Sequence, residues 1–247
     1  MHSSTRSIVI PTSLLLLFSL NAFAGKNNID YLNFSSQSQF KDFSSDLSGA
    51  LGYKTLRPAE PLGLTGFDIG ISANVSQLKH KQMGAVSNNA SSSMDGVTLH
   101  LAKGMPLGLD IGVDYTTFPN SNLSTWSTNL NWAILEGSTV SPALGINGHY
   151  TQSNGISALD YKSYGLDFGV SKGLANLTPY ASVGMIQSEV NPRENNRVSG
   201  VTLKKVNSTL AKLAVGVNIN LAFMDVLVAY NQIGDVPTYS IKAGYRF

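Results

Sequence analysis

The sequence predicts an all-β protein: an antiparallel transmembrane β-barrel of about ten strands, with eight or twelve as alternatives, preceded by a short N-terminal amphipathic helix. Three observations predict it. From Gly63 onward apolar residues fall at every second position in segment after segment, the period of a strand with one oily and one wet face. The segments run about 9 to 13 residues, enough to cross a bilayer on a tilt and longer than ordinary soluble strands. The connections between them alternate between long and short, as they do in outer-membrane barrels.

Composition narrows the class further. Charged residues make up 13% of the 247, against roughly 25% in soluble domains. After the first 24 residues, no run approaches the roughly 18 apolar residues of a spanning helix. The chain has no cysteine, which excludes disulfides, thiolate metal sites and a thiol nucleophile. Setting aside Arg6 leaves 16 of the 17 Lys and Arg against 15 Asp and Glu, so no basic excess favours nucleic acid. No cofactor is expected: phosphate-binding loops and His-Glu-x-x-His are missing from the sequence, and His2, His80, His100 and His149 are scattered.

The elements follow in order. Residues 1–24 read as a signal peptide, with Arg6, an apolar run from Ile8 to Leu20, and Ala22-Phe23-Ala24 before Gly25. Residues 25–62 lack alternation. Phe40, Phe43, Leu47 and Leu51 are spaced by three and four, the stripe of a helix, with Ser36 or Ser38 to cap its start and Gly52 its end. Arg57-Pro58-Ala59-Glu60-Pro61 is then a stiff, non-helical link into the barrel at 63–247. This segment is expected either to plug the barrel or to lie on the periplasmic side.

Ten alternating segments follow, beginning with Phe67, Ile69, Ile71, Ala73 and Val75 on the outward face and ending with Tyr239, Ile241, Ala243, Tyr245 and Phe247. Aromatics gather toward segment ends, among them Tyr115, Trp126, Tyr150, Tyr164 and Tyr230, as membrane interfaces favour. The long connections are expected at 78–95, 119–122, 152–160, 188–204 and 231–237, and the short ones at 104–106, 136–142, 172–177 and 220–222.

Parity sends Asp68, Asp110, Asp114, Asp167, Asp225, Lys212, Lys242 and Arg246 into the lumen, with His100 and His149. Asp110 and Asp114, four residues apart on one strand, stand too far apart to share a proton and are expected to be ion-pair partners. Both charge signs suggest a paired network that fills a narrow interior, whereas inward glycines such as Gly70, Gly165, Gly184 and Gly216 would leave room for water or for the helix. A closed structural or surface-interaction barrel and a narrow passive pore therefore both stand. Lys79, His80 and Lys81 in one long connection, and Arg193, Glu194, Arg197, Lys204 and Lys205 in another, make a mildly basic rim suited to lipopolysaccharide phosphates.

Ala243-Gly244-Tyr245-Arg246-Phe247, a terminal Phe closing an aromatic-bearing strand, resembles the sorting signal of Gram-negative outer-membrane barrel proteins. The resemblance implies an outer-membrane location and insertion by the barrel assembly machinery, with Tyr245 and Phe247 as the signal. Leu51 to Ile71 is similar to a stretch of uncharacterised outer-membrane proteins of proteobacteria. Thr151-Gln152-Ser153-Asn154-Gly155 resembles the His-x-Ser-Asn-Gly segment of outer-membrane phospholipases, and more loosely that of lipid A deacylases. Those families need His two residues before Ser to take the hydroxyl proton, and Thr151 stands there. Lipid hydrolysis is thus the third reading, behind two non-enzymatic ones.

Overall fold

A computed structural model describes residues 27–88, 90–138, 140–193, 201–221 and 224–247; the expected signal peptide at 1–24 lies outside the described residues. One helix, α1 (Gln37–Leu51), precedes ten strands: β1 (Phe67–Gln77), β2 (Ser93–Gly104), β3 (Leu109–Thr117), β4 (Ser124–Leu135), β5 (Ala143–Asn154), β6 (Leu159–Ser171), β7 (Leu177–Pro192), β8 (Val206–Leu221), β9 (Met224–Ile233) and β10 (Val236–Arg246). Each strand pairs antiparallel with its sequence neighbours, and β10 closes on β1 with Ser72 opposite Lys242. Closure leaves no unpaired sheet edge, the condition for a sheet to sit in hydrocarbon.

The outward face carries the membrane. Ile71, Leu99, Ile111, Leu130, Trp132, Phe168, Val183, Met185 and Ile241 are exposed all round the wall. An apolar girdle of this extent marks a lipid-facing surface. Along one edge of it Tyr115 stands opposite Trp126, Tyr150 opposite Tyr164, and Tyr230 opposite Tyr239. The Trp126 and Tyr150 rings lie 5.8 Å apart and those of Tyr230 and Tyr239 5.4 Å. The chain is a barrel of the outer-membrane type. The rim reached after β1, β3, β5, β7 and β9 is called the outer mouth and the rim beside Phe247 the inner mouth, following the sidedness of such barrels.

Several strands run further toward the outer mouth than the sequence suggested. The connection expected at 188–204 is confined to 193–205, that at 152–160 to 155–158, and that at 231–237 to the two-residue turn Gly234-Asp235. The reason is a change of polarity within a strand. In β7 the outward residues are Ala181, Val183 and Met185, then Gln187, Glu189 and Asn191, while the inward ones pass from Thr178 and Ser182 to Ile186 and Val190. Within the membrane the strand is oily outside and wet inside; beyond it the two faces exchange roles. An alternation that inverts partway looks, in sequence, like one that has ended.

The inverted ends enclose a core. Met94, Leu159, Tyr161, Val190, Leu203 and Val206 pack around Phe34, Phe40, Phe43, Leu47 and Leu51. The helix begins at Ser36, whose side chain accepts from the Gln39 N–H, and stops at Gly52. Lys54 then donates to the carbonyls of Gly49, Ala50 and Gly52 at 2.7–3.0 Å, satisfying acceptors that the last turn leaves open.

Candidate functional site: the threaded lumen

The described N-terminal segment passes through the barrel from one mouth to the other. Asn27, at its start, is fixed among outer-mouth loops: its N–H donates to the Asn120 carbonyl, its Nδ2 to the Ser93 carbonyl, and its Oδ1 accepts from the Ser91 N–H, all at 2.8 Å. Asn33 donates to Ala85, and Gln37 exchanges two bonds with the backbone of Lys204. Asp46 on α1 accepts from His80 Nδ1 at 2.8 Å and from the backbone N–H groups of Lys79 and His80. At the C-terminal end of α1, a Cβ on Gly49 would stand 2.5 Å from Val236 Cβ and 2.9 Å from the Ile233 carbonyl, so the helix rests directly on the β9–β10 hairpin.

Below α1 the chain descends extended, with a lumen partner at nearly every step. Tyr53 stacks on His149 with ring centroids 4.7 Å apart, and Lys212 Nζ lies 4.7 Å from the same Tyr53 ring. The Thr55 N–H donates to Asn231 Oδ1 at 2.9 Å, its hydroxyl donates to Asp167 at 3.0 Å, and its carbonyl accepts from the Tyr180 hydroxyl at 2.9 Å. Arg57 reaches Asn129 at 3.3 Å and Asp110 at 3.9 Å. The N–H groups of Ala59 and Glu60 both donate to Ser171 Oγ, that of Leu62 donates to Asp110 at 2.9 Å, and Glu60 pairs with Arg246 at 3.3 Å. Leu64 is 64% exposed at the inner mouth, from which β1 departs.

All eight charged residues expected in the lumen point inward. Lys212 holds Asp167 at 2.6 Å, Lys242 holds Asp68 at 2.6 Å, and His100 Nδ1 meets Asp114 at 2.8 Å. Of Asp110 and Asp114, expected to be ion-pair partners, the first faces Arg57 at 3.9 Å and accepts from the Leu62 N–H, and the second meets His100 Nδ1. Asp225 is 3% exposed and its Oδ1 has no hydrogen-bond partner among the described residues. The inward glycines lie beneath side chains of the facing strand. His149 covers Gly165, Asp167 covers Gly184 and the Tyr180 ring covers Gly216, and a methyl group at any of the three would collide. Three cavities beside the threaded chain measure about 30, 20 and 20 Å³, each room for a water or two.

Phe40, Phe43, Leu47 and Leu51 are buried in the outer core, whereas Tyr245 and Phe247 are exposed outward at the inner mouth, with Phe247 paired to Phe67 through two backbone bonds. At the rim Arg193 pairs with Asp160, which raises its pKa above the ordinary guanidinium value, Lys205 pairs with Glu189, and His80 with Asp46; Glu194 and Arg197 lie outside the described residues. The Ser153 hydroxyl donates to the Tyr161 carbonyl and accepts from the Tyr161 N–H. His149 lies four residues away on the same strand and faces Asp167, so among the described residues no imidazole bonds that hydroxyl. Among the described residues no group of three or more His, Cys, Asp or Glu is arranged to hold a metal. Sequence reasoning missed Tyr53, Thr55 and Arg57 on the threaded chain and Asn129, Ser171, Tyr180 and Asn231 on the wall. The one signal for the first three was the polar, proline-stiffened run Tyr53 to Pro61, too polar to be a core and too stiff to be a helix.

No family model matches the chain, and no curated protein matches it. Solved structures resemble it in architecture. The attachment invasion locus protein Ail of Yersinia pestis, in complex with the heparin analogue sucrose octasulfate, is 13% identical, covering 74% of this chain and 98% of that one at a TM-score of 0.35. The KdgM porin in complex with disordered oligogalacturonate is 8% identical, covering 73% and 99% at a TM-score of 0.39. LpxR from Salmonella typhimurium is 10% identical, covering 72% and 100% at a TM-score of 0.37. These likenesses concern the barrel and carry nothing about what this chain does.

Proposed function

We propose that the chain is a non-catalytic outer-membrane barrel closed by its own N-terminal segment, acting at the outer rim as a structural or surface-interaction protein. The supporting observation is the extended run from Tyr53 to Leu62, bonded to the wall at Asp167, Asn231, Tyr180, Ser171 and Asp110. A chain held at that many points down a barrel of this bore leaves isolated pockets rather than a water path. In this reading Phe40, Phe43, Leu47 and Leu51 anchor the plug, the charged lumen residues hold its lower half, Tyr245 and Phe247 serve the barrel assembly machinery, and rim cations meet lipopolysaccharide. Ser153, committed to the Tyr161 backbone, closes the β5–β6 hairpin rather than attacking lipid.

Single-channel recording in planar bilayers tests it. The protein from Gly25 onward is expected to be silent, and a variant beginning at Gly63 to conduct. Steady conductance by the longer protein would contradict the plug and favour the passive pore; fatty acid release lost on Ser153→Ala would favour the hydrolase.

A further inference from the structure

Carboxylates outnumber cations around the cavity at the inner mouth, where Glu60, Glu136 and Asp225 stand with Arg246. Two cations there each have a carboxylate: Lys242 holds Asp68 at 2.6 Å and Arg246 holds Glu60 at 3.3 Å. Asp225, buried to 97%, lies in the field of Lys242 and Arg246 but forms a close ion pair with neither, and its Oδ1 accepts no bond from a described residue. A buried carboxylate oxygen that accepts no hydrogen bond carries a desolvation penalty, which a positively charged donor placed against it offsets. Asp225 borders a cavity of about 520 Å³ at the inner mouth, where Glu136 adds a second carboxylate without a close cation among the described residues, Glu60 and Arg246 line the wall as a pair, and Pro61, Met224 and Phe247 add apolar surface.

We propose that this cavity binds an organic cation, an ammonium or guanidinium on a short apolar chain, with Asp225 as its buried anchor and Glu136 as its rim contact. The volume lies in the range of small-molecule sites. The missing complement is a hydrogen-bond donor carrying positive charge, and guanidinium or ammonium donates to carboxylate in the strongest class of hydrogen bond. An oxygen cage for a divalent ion would need more ligands than the described residues bring together here. The site does not depend on whether the lumen above it conducts.

The test is calorimetric titration of the refolded protein from Gly25 onward with agmatine, which has guanidinium at one end of a four-carbon chain and ammonium at the other. One saturable site is expected, weakened about ten-fold or more by Asp225→Asn and less by Glu136→Gln. Glu189→Gln, at the opposite mouth, is expected to leave it unchanged. Asn220 stands directly across the β8–β9 pair from Asp225, so Asn220→Lys supplies a tethered ammonium. That variant is expected to abolish agmatine binding and raise the thermal midpoint, which keeps the test open should Asp225→Asn fail to fold. No saturable binding, or binding unaltered in Asp225→Asn or Asn220→Lys, would overturn the proposal.

Discussion

The two halves of the barrel interior are held together by different physics. Around α1 the contacts are predominantly apolar, Phe34, Phe40, Phe43 and Leu47 packing on Met94, Leu159 and Val190, with Asp46 and Gln37 bonding the loops at the rim. Around residues 53–62 they are mostly polar and specific, the backbone and side chains of the threaded segment meeting named groups on the wall, with Leu56 as an apolar contact among Tyr180, Leu227 and Ala229. The upper half supplies cohesion through area removed from water. The lower half sets register, because a slip of the threaded chain by one residue would strand buried donors and carboxylates. A lumen crossing the bilayer can combine the two since the wall changes its inward face from polar to apolar just where the lipid ends.

The comparison can be broken at either half. The largest effect is expected from Phe40→Ala with Phe43→Ala, which empties the upper core. Each substitution alone costs about 3–5 kcal/mol in comparable cores, and proteolysis within 53–62 should follow as α1 detaches. Lys212→Met comes next, because it leaves Asp167 charged and buried, at about 3–5 kcal/mol in urea unfolding of the vesicle-bound protein. Adding Asp167→Asn should recover most of that loss, which no apolar deletion in the upper half can do. Gly49→Ala should cost about 1–3 kcal/mol by pushing α1 off the β9–β10 hairpin. Ser36→Ala, which removes only the helix cap, should cost about 1 kcal/mol. If Lys212→Met proved as mild as Ser36→Ala, the lower half would be loosely solvated and its register role would fall.

Legibility in the sequence followed the lipid. Where outward residues face hydrocarbon, as at Ile69 and Ile71 or Val183 and Met185, strict alternation gave the strands, their number and the inward charges. At Gln187 to Asn191 and Asp160 to Lys162 both sides of the wall differ from the membrane zone, and the strands extend past their expected ends. The helix was legible because Phe40, Phe43, Leu47 and Leu51 form one stripe and Ser36 and Gly52 bound it. Its position was not, because no local pattern states that Asn27 meets Asn120 or that Asp46 meets His80 across the outer mouth. The pairing of Asp167 with Lys212 and Thr55 depends likewise on strand register and on a segment more than a hundred residues away, neither of which periodicity encodes.

The central claim is that residues 27–62 cross the barrel, so that Asp30 and Leu64 lie on opposite sides of the membrane. The chain has no cysteine, and both positions are exposed. Single-cysteine variants Asp30→Cys and Leu64→Cys, with Lys81→Cys in an outer loop as reference, can be treated in intact cells with a maleimide on a polymer too large for porins. Asp30→Cys should label as readily as Lys81→Cys, and Leu64→Cys only once the outer membrane is permeabilised. Labelling of Asp30→Cys only after permeabilisation would contradict the threaded segment and return it to the periplasm.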